Sequence, residues 1–178
     1  MEITLGQLLE SRDNRRKLQG ELLGQYPQCS LLCLTVVMPG KVKRNESSLI
    51  VAKAAVKAVT AAFEGNITDS IERDLPTGYE YFLITAINEK EAKEIACDIE
   101  EKHPLGRLFD IDIIGHDLVP IERSAVGRPP RQCLLCDHEA RYCMRNHSHT
   151  ADEIAEKIKS MIAEYLKNQE KKETDVRN

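Results

Sequence analysis

Apolar positions between residues 4 and 65 predict a helix, a buried strand and a second helix. Thr4 and Gln7 fit a capping box, so the first helix is expected to begin at Leu5 and to run to about Leu23. Residues 29–38 are apolar without alternation, which is typical of a central strand covered on both faces. The alanine-rich segment 48–64 has a period of 3.6 and predicts a helix that ends at Gly65.

The next fifty residues predict two strands, a helix and a last strand. Residues 67–74 and 79–86 read as strands joined by a hairpin at Pro76-Thr77-Gly78. Asn88 and Glu91 form a capping box for a helix that ends near Glu101, and residues 107–114 follow as a strand. The order strand, helix, strand, strand, helix, strand is that of the split βαβ motif. We therefore predict an α+β fold with a ferredoxin-like β-α-β-β-α-β core over residues 28–115.

The flanks of this predicted core carry further elements. The N-terminal helix and the C-terminal segment are available to cover the sheet face that the two core helices leave open. Residues 128–149 form an irregular, cysteine-rich segment, and Thr150 and Glu153 cap a last helix over residues 151–167. The polar residues 168–178 are expected to fray. We expect one domain over residues 1–167.

Composition and charge narrow the class of protein. The longest apolar run, residues 31–38, is too short to cross a bilayer, and the N-terminus lacks the pattern of a signal peptide. We therefore expect a cytoplasmic protein with no membrane partner. The net charge of −4 also argues against a general nucleic-acid binder, which would need to neutralise phosphates.

The acidic segment of the last predicted strand is the first candidate site. Side chains alternate along a strand, so Asp110 and Asp112 point to the same face. Residues two apart on a strand are about 7 Å apart, and two carboxylates at that distance repel each other unless a cation lies beside them. Mg²⁺ prefers such oxygen ligands. His103 and Arg107, which precede the strand, are residue types that bind phosphate. The alternative is an ordinary solvated strand face.

Basic side chains cluster in two further places. Arg12, Arg15 and Arg16 share one face of the first helix, and Lys43 and Arg44 follow the predicted central strand in a loop. Either group could meet phosphates. The alternatives are a solvated helix face and a solvated loop.

Half of the six cysteines lie within eleven residues. Cys133, Cys136 and Cys143, with His149, could supply the three thiolates and one imidazole of a tetrahedral zinc site. Reduced structural thiols are the main alternative, and a nucleophilic cysteine is a third. Arg128 and Arg131 lie close by in the sequence and could bind phosphate in any of these cases.

Four blocks of this sequence together resemble one enzyme family. The first is His103-Pro104-Leu105-Gly106-Arg107-Leu108-Phe109-Asp110-Ile111-Asp112. The others are Arg131, Cys133, Leu134, Cys136, Ala140, Cys143, Arg145 and His149; Leu8-Leu9-Glu10-Ser11-Arg12 through Arg15; and Pro39-Gly40 followed by Lys43. They resemble the holo-acyl-carrier-protein synthase of citrate lyase, also called apo-citrate lyase phosphoribosyl-dephospho-CoA transferase. The chain departs from that pattern at Lys41, where a second proline is usual, and at His147, an additional histidine.

The resemblance implies a nucleotidyl transfer. A serine of the citrate lyase acyl carrier (γ) subunit would attack 2′-(5″-triphosphoribosyl)-3′-dephospho-CoA, and diphosphate would leave. In this scheme Asp110 and Asp112 are Mg²⁺ ligands, and His103 is a triphosphate ligand or general base. The alternative for His103 is a structural role at a helix C-terminus.

The remaining basic residues are candidate ligands of the substrate or the carrier protein. The proposed substrate-binding set is Arg107, Lys43, Arg44, Arg12, Arg15, Arg128 and Arg131. The basic helix face could also dock the carrier, since acyl carrier proteins are typically acidic. Two other functions stay open: a zinc-stabilised module that binds a carrier protein or nucleic acid without catalysis, and a transferase acting on another carrier.

Overall fold

The computed structural model describes residues 1–176 and divides into two units. The first comprises Met1–Pro129, and the second begins at Pro130. The elements of the first unit are α1 (Leu5–Gln25), β1 (Ser30–Val36), α2 (Glu46–Ala62), β2 (Ile67–Leu75), β3 (Gly78–Thr85), α3 (Glu89–Lys102) and β4 (Phe109–Ile114). The second contains α4 (Ala140–Asn146) and α5 (Ala151–Val176). In the first unit this order is the one predicted from the sequence, whereas α4 lies in a segment that the sequence predicts to be irregular.

The four strands of the first unit pair into one antiparallel sheet. Their spatial order is β2-β3-β1-β4, so the apolar strand β1 is central, as predicted. The fold is therefore mixed α/β with a four-stranded antiparallel sheet. Of the helices described, none combines the length and apolar character needed to cross a bilayer.

Helices lie on both faces of this sheet. In β1, Leu31 and Cys33 belong to a core cluster with α1, whereas Leu32 and Leu34 between them are fully buried on the opposite face. Helices α2 and α3 contact the sheet there. The predicted covering role of the first helix is confirmed.

The apolar contacts of helix α1 with the sheet come from its second half. Leu22 and Leu23 are buried against the sheet, but Leu5 and Leu9, which the sequence places on the same apolar stripe, are 72% and 50% exposed. Leu5 and Leu9 therefore do not contribute to the core. In the first half of the helix, polar side chains face the sheet, as described below.

Two predicted boundaries move. A 3₁₀ turn occupies Gly106–Leu108, so the last strand begins at Phe109 and not at residue 107. Helix α5 continues to Val176, although the sequence predicts an end near residue 167 and a frayed tail. The added segment contains no Gly or Pro and is rich in Lys, Glu and Gln, which are good helix formers in water. The last two residues of the predicted tail lie outside the described residues.

Gly106 fixes the position where β4 begins. A β-carbon added at this residue would lie 2.6 Å from the carbonyl oxygen of Ile99 and closer still to that of Glu100. These backbone atoms at the end of α3 cannot move aside as a flexible side chain could. The glycine therefore permits the close approach that sets Arg107 and Asp110 in place.

We expect Gly106→Ala to lower the free energy of unfolding by about 1–3 kcal/mol, the usual cost of overpacking. Gly24→Ala is the matched control, because that helical glycine has no neighbouring atom within 4 Å of an added β-carbon. The control should be neutral or stabilising. Urea unfolding of both variants measures the difference, and equal stabilities would contradict the close packing of Gly106.

Candidate functional site

A row of polar side chains crosses the sheet on the face that α1 covers. The strand register pairs Arg73 with Glu80, Glu80 with Thr35, and Thr35 with Asp110. The row therefore runs over all four strands from β2 to β4. In the next row of the same face, Cys33 pairs with Asp112.

Asp110 and Asp112 share this face, in agreement with the alternation in the sequence. Both are half-buried, while their neighbours Phe109, Ile111 and Ile113 are fully buried on the other side. Thr35 Oγ1 donates a hydrogen bond of 3.3 Å to Asp110 Oδ2. This contact restrains one carboxylate at a position that remains accessible.

Glu80 is the most buried charged residue of this row. It is only 3% exposed, and Arg15 Nε and Arg73 Nη1 lie 3.6 Å and 3.5 Å from its two carboxylate oxygens. Among the described residues, its Oε2 atom is buried and has no hydrogen-bond partner. Burial raises the pKa of Glu80 above the usual carboxyl value, against the opposing effect of Arg15 and Arg73.

The N-terminal half of α1 and the loop after β1 meet at one end of the sheet. Ile3 N–H donates to Lys41 C=O at 2.9 Å, and the hydroxyls of Ser11 and Thr77 lie 2.8 Å apart. Lys43 Nζ donates to a carbonyl oxygen of the same loop, that of Met38, at 2.6 Å.

The pKa of Lys43 reports a second cation nearby. Burial lowers this pKa, and the positive charge of Arg12 lowers it further. Two candidate phosphate ligands from separate elements, Arg12 and Lys43, are thus close enough to repel each other. A bound anion would relieve that repulsion.

Two more predicted cations lie at this end. Val37 N–H donates to Leu108 C=O at 2.9 Å, which places the turn containing Arg107 beside the loop after β1. Arg44 makes two hydrogen bonds of 2.7 Å to the carboxylate of Asp74, near the end of β2. The predicted cations at this end of the sheet are therefore Arg12, Arg15, Lys43, Arg44 and Arg107.

His103 is positioned differently from the sequence prediction. It caps α3, its Nδ1 accepts the Leu105 N–H at 3.0 Å, and its ring centroid lies 4.8 Å from that of Phe109. Phe109 points to the sheet face that carries α2 and α3, not to the face of the two aspartates. The ring of His103 therefore packs against a side chain of the face opposite the two aspartates.

Arg128 also lies with α3. Its guanidinium contacts Asp98 at 2.5 Å and Glu101 at 2.7 Å, and Arg123 binds Glu100 at 2.8 Å in the same acidic patch. These ion pairs hold Arg128 against α3. Arg131, the last of the predicted cations, belongs to the second unit.

The second unit brings the predicted cysteine group together. Cys133, Cys136, Cys143 and His149 each offer a ligand atom, and all four atoms lie within 4.8 Å of one another. Cys136 Sγ is 3.5 Å from Cys143 Sγ and 3.3 Å from His149 Nε2. A Zn–S bond of 2.3 Å in a tetrahedral site implies a separation of about 3.8 Å between thiolates. The group could therefore hold a metal ion, and its geometry is compatible with zinc.

The other histidines of this segment have distinct positions. His147 ends α4 in the left-handed conformation, with φ of 48°, and is not part of the group. His138, which the sequence did not single out, places Nδ1 3.6 Å from Cys136 Sγ. Burial acts to raise the pKa of Cys133, but backbone N–H groups of Leu135 and Cys136 help lower it to about 7, which favours the thiolate.

Three residues of the polar row across the sheet were missed by sequence reasoning. Glu80 and Arg73 lie two positions along their strands from the apolar residues Phe82 and Ile71, and therefore point to the same face, the one that α1 covers. A charge at a position expected to be apolar was the available signal. Thr35 carried no such signal, because its role depends on the pairing of β1 with β4.

These features together describe an α/β protein whose sheet end gathers carboxylates and cations suited to a phosphate-bearing substrate. The chain belongs to the apo-citrate lyase phosphoribosyl-dephospho-CoA transferase family, whose model matches residues 3–165. Membership of this family indicates that transferase activity.

Relatives of similar length support the same family. The chain is 34% identical to a probable apo-citrate lyase phosphoribosyl-dephospho-CoA transferase of Streptococcus pyogenes, over 92% of this chain and 88% of that protein. A Vibrio cholerae protein of the same description is 34% identical over 93% of this chain and 94% of that protein. The Haemophilus influenzae protein CitXG is 37% identical over 90% of this chain, which spans only 35% of that longer protein.

Proposed function

We propose that the protein attaches a prosthetic group to the acyl carrier subunit of citrate lyase by nucleotidyl transfer. A serine hydroxyl of the carrier attacks the ribose-proximal phosphorus of 2′-(5″-triphosphoribosyl)-3′-dephospho-CoA. A phosphodiester forms, the bond to the second phosphate breaks, diphosphate leaves and the hydroxyl proton is released. The family match over residues 3–165 carries this proposal, and the cations around the aspartate pair support it.

Asp110 and Asp112 are the proposed Mg²⁺ ligands. They lie on one face and are half-buried, and Mg²⁺ is commonly held by one or two carboxylates together with substrate phosphates. When bound, the ion would neutralise charge on the transferring phosphoryl group. Thr35 would orient Asp110 through its 3.3 Å hydrogen bond.

The cations at the same end of the sheet are proposed to hold the phosphates. Arg107, Lys43, Arg12 and Arg15 come from three separate segments that meet at this end of the sheet, and Arg44 could exchange its exposed Asp74 partner for a phosphate. The basic face of α1 would also dock the acidic carrier protein. Electrostatic attraction of this kind chiefly raises the rate of association.

Two predicted residues receive other assignments, and a third keeps its own. His103 is proposed to shape the turn before β4 through the Leu105 N–H, and not to act as the base. Arg128 is proposed to join the segment after β4 to α3 through Asp98 and Glu101. Arg131 remains a proposed phosphate ligand.

The cysteine group is proposed to bind one structural Zn²⁺ through Cys133, Cys136, Cys143 and His149. The ion would cross-link a segment that has few apolar side chains of its own. No step of the transfer requires a cysteine nucleophile. Cys33, beside Asp112, is also unsuited to that role because burial raises the pKa of its thiol to about 12.

The first unit is proposed to be a ferredoxin-like core. The strand order β2-β3-β1-β4, the antiparallel pairing and the βαββαβ element order support that arrangement. The family match crosses the boundary between the two units, which supports treating residues 1–167 as one transferase domain.

Release of diphosphate tests the proposed reaction. Purified protein, apo carrier subunit, the triphosphoribosyl precursor and Mg²⁺ should release one diphosphate per carrier, and omission of any one component should stop the release. Replacing the carrier with one from another lyase or decarboxylase separates citrate lyase specificity from a broader transferase. Carrier binding without diphosphate release would favour the zinc-stabilised binding module instead.

A further inference from the structure

We propose that Arg15 and Arg73, held together by Glu80, form the subsite for the diphosphate that leaves in this reaction. This inference rests on the proposed function and adds two residues to the site, Arg73 and Glu80. Arg73 would touch the terminal phosphates of the substrate. Glu80 would be a positioning residue that acts through the two arginines.

The burial of Glu80 calls for an explanation. A carboxylate that is 3% exposed loses most of its hydration, and such a group is normally satisfied by hydrogen bonds. Here the two ion pairs, at 3.6 Å and 3.5 Å, are longer than good charge-assisted hydrogen bonds, and Oε2, the atom nearest Arg73, has no hydrogen-bond partner among the described residues. An arrangement serving stability alone would be expected to satisfy this atom.

The two guanidinium groups gain most from this arrangement. Arg15 reaches the carboxylate from α1 and Arg73 from β2, so one buried anion gathers cations from two elements. Without it the two cations would repel each other. Their side chains remain 24% and 28% exposed, so both can still present N–H donors to a ligand. Planar guanidinium groups suit phosphate oxygens because two parallel donors can bind together.

The position of this pair matches the geometry of the reaction. Arg73, Glu80, Thr35 and Asp110 are successive members of one cross-strand row. The phosphoryl group that is transferred would lie at the aspartates, and the phosphates beyond it would extend along the row toward β2. Glu80 and Asp110 are separated by two strand spacings, roughly 10 Å between α-carbons, within reach of a chain of linked phosphates and long arginine side chains.

Inorganic triphosphate is a direct probe of this subsite. We expect Arg73→Gln to raise the Kd for inorganic triphosphate at least tenfold in calorimetric titrations, while the Kd for dephospho-CoA, which lacks the triphosphate, changes less than twofold. Glu80→Gln should weaken triphosphate binding in the same direction. In the transfer assay both variants should raise the KM for the triphosphoribosyl precursor by a larger factor than they lower kcat. Lys17→Gln, an exposed substitution on α1, is the control and should leave both Kd values unchanged.

The folded state of Glu80→Gln is checked by its melting temperature. The raised pKa of Glu80 means that the charged form is less stable in the folded chain than in water. Wild-type stability therefore falls as the pH rises through this pKa, and the glutamine variant avoids that loss. Its melting temperature at pH 7 should be no lower than that of the wild type, and any gain should vanish in acid.

The possible outcomes separate this subsite from the proposed function. An unchanged triphosphate Kd in folded Arg73→Gln would overturn the subsite, even if the wild type performs the transfer. A fall in kcat for Glu80→Gln at unchanged triphosphate affinity would overturn the positioning role and indicate a proton acceptor. Absence of transfer by the wild type would defeat the proposed function, while the triphosphate titrations would still test the arginine pair. If Glu80→Gln did not fold, the triphosphate Kd of Arg73→Gln would be the test of the subsite.

Discussion

Replacing Asp110 with asparagine is expected to slow the transfer by about a hundred- to a thousand-fold, the range seen when one electrostatic contact to a transition state is removed. Asparagine has nearly the same shape and keeps an oxygen that can accept the hydrogen bond from Thr35. The change therefore removes charge without creating a cavity. The melting temperature should stay within a few degrees of the wild-type value.

The dependence on Mg²⁺ distinguishes a metal ligand from a purely structural aspartate. Asp110→Asn should need a higher Mg²⁺ concentration for half-maximal activity, because a neutral amide binds a hard cation less tightly. Asp13→Asn, an exposed position on α1, should behave as the wild type does. Full activity of Asp110→Asn at the wild-type Mg²⁺ requirement would rule out the proposed role of the aspartate pair.

Removal of zinc is expected to have the largest effect on stability. Structural zinc sites bind with an apparent free energy of about 10–16 kcal/mol at neutral pH, and part of this energy stabilises the folded state. Cys136→Ser removes the thiolate that contacts both Cys143 and His149. We expect its zinc content to fall from one ion per chain to nearly none, and limited proteolysis to cut within residues 130–150.

Cys29→Ser provides the matched control for this experiment. Cys29 lies in the first unit, near Thr68, so its replacement should leave one zinc per chain and the wild-type proteolysis pattern. A strong chelator should reproduce the effect of Cys136→Ser in the wild-type protein. If wild-type protein purified without chelators contained no zinc and its second unit still resisted proteolysis, the metal assignment would be wrong.

The sequence predicted the parts of this structure that depend on local pattern. The capping boxes at Thr4 and Thr150 begin the helices where expected, and the unbroken apolar run of β1 marks the central strand. The cysteine group could also be predicted, because its ligands lie within seventeen residues and its chemistry is carried by residue type. In each case a short segment carries the whole signal.

Features that depend on contacts between distant segments could not be predicted in the same way. Glu80 joins the polar row across the sheet only through the pairing of β3 with β1, and Arg15 reaches it only because α1 packs across the sheet. The contact of the His103 ring with Phe109 likewise depends on the 3₁₀ turn that joins α3 to β4.

The intact mass of the carrier subunit shows whether the protein performs the proposed transfer. The apo carrier is incubated with this protein, the triphosphoribosyl precursor and Mg²⁺, and is then measured by mass spectrometry. We expect one added group per carrier, with the mass of the precursor less diphosphate, attached to a serine. An unchanged carrier mass under conditions in which both proteins are folded would contradict it.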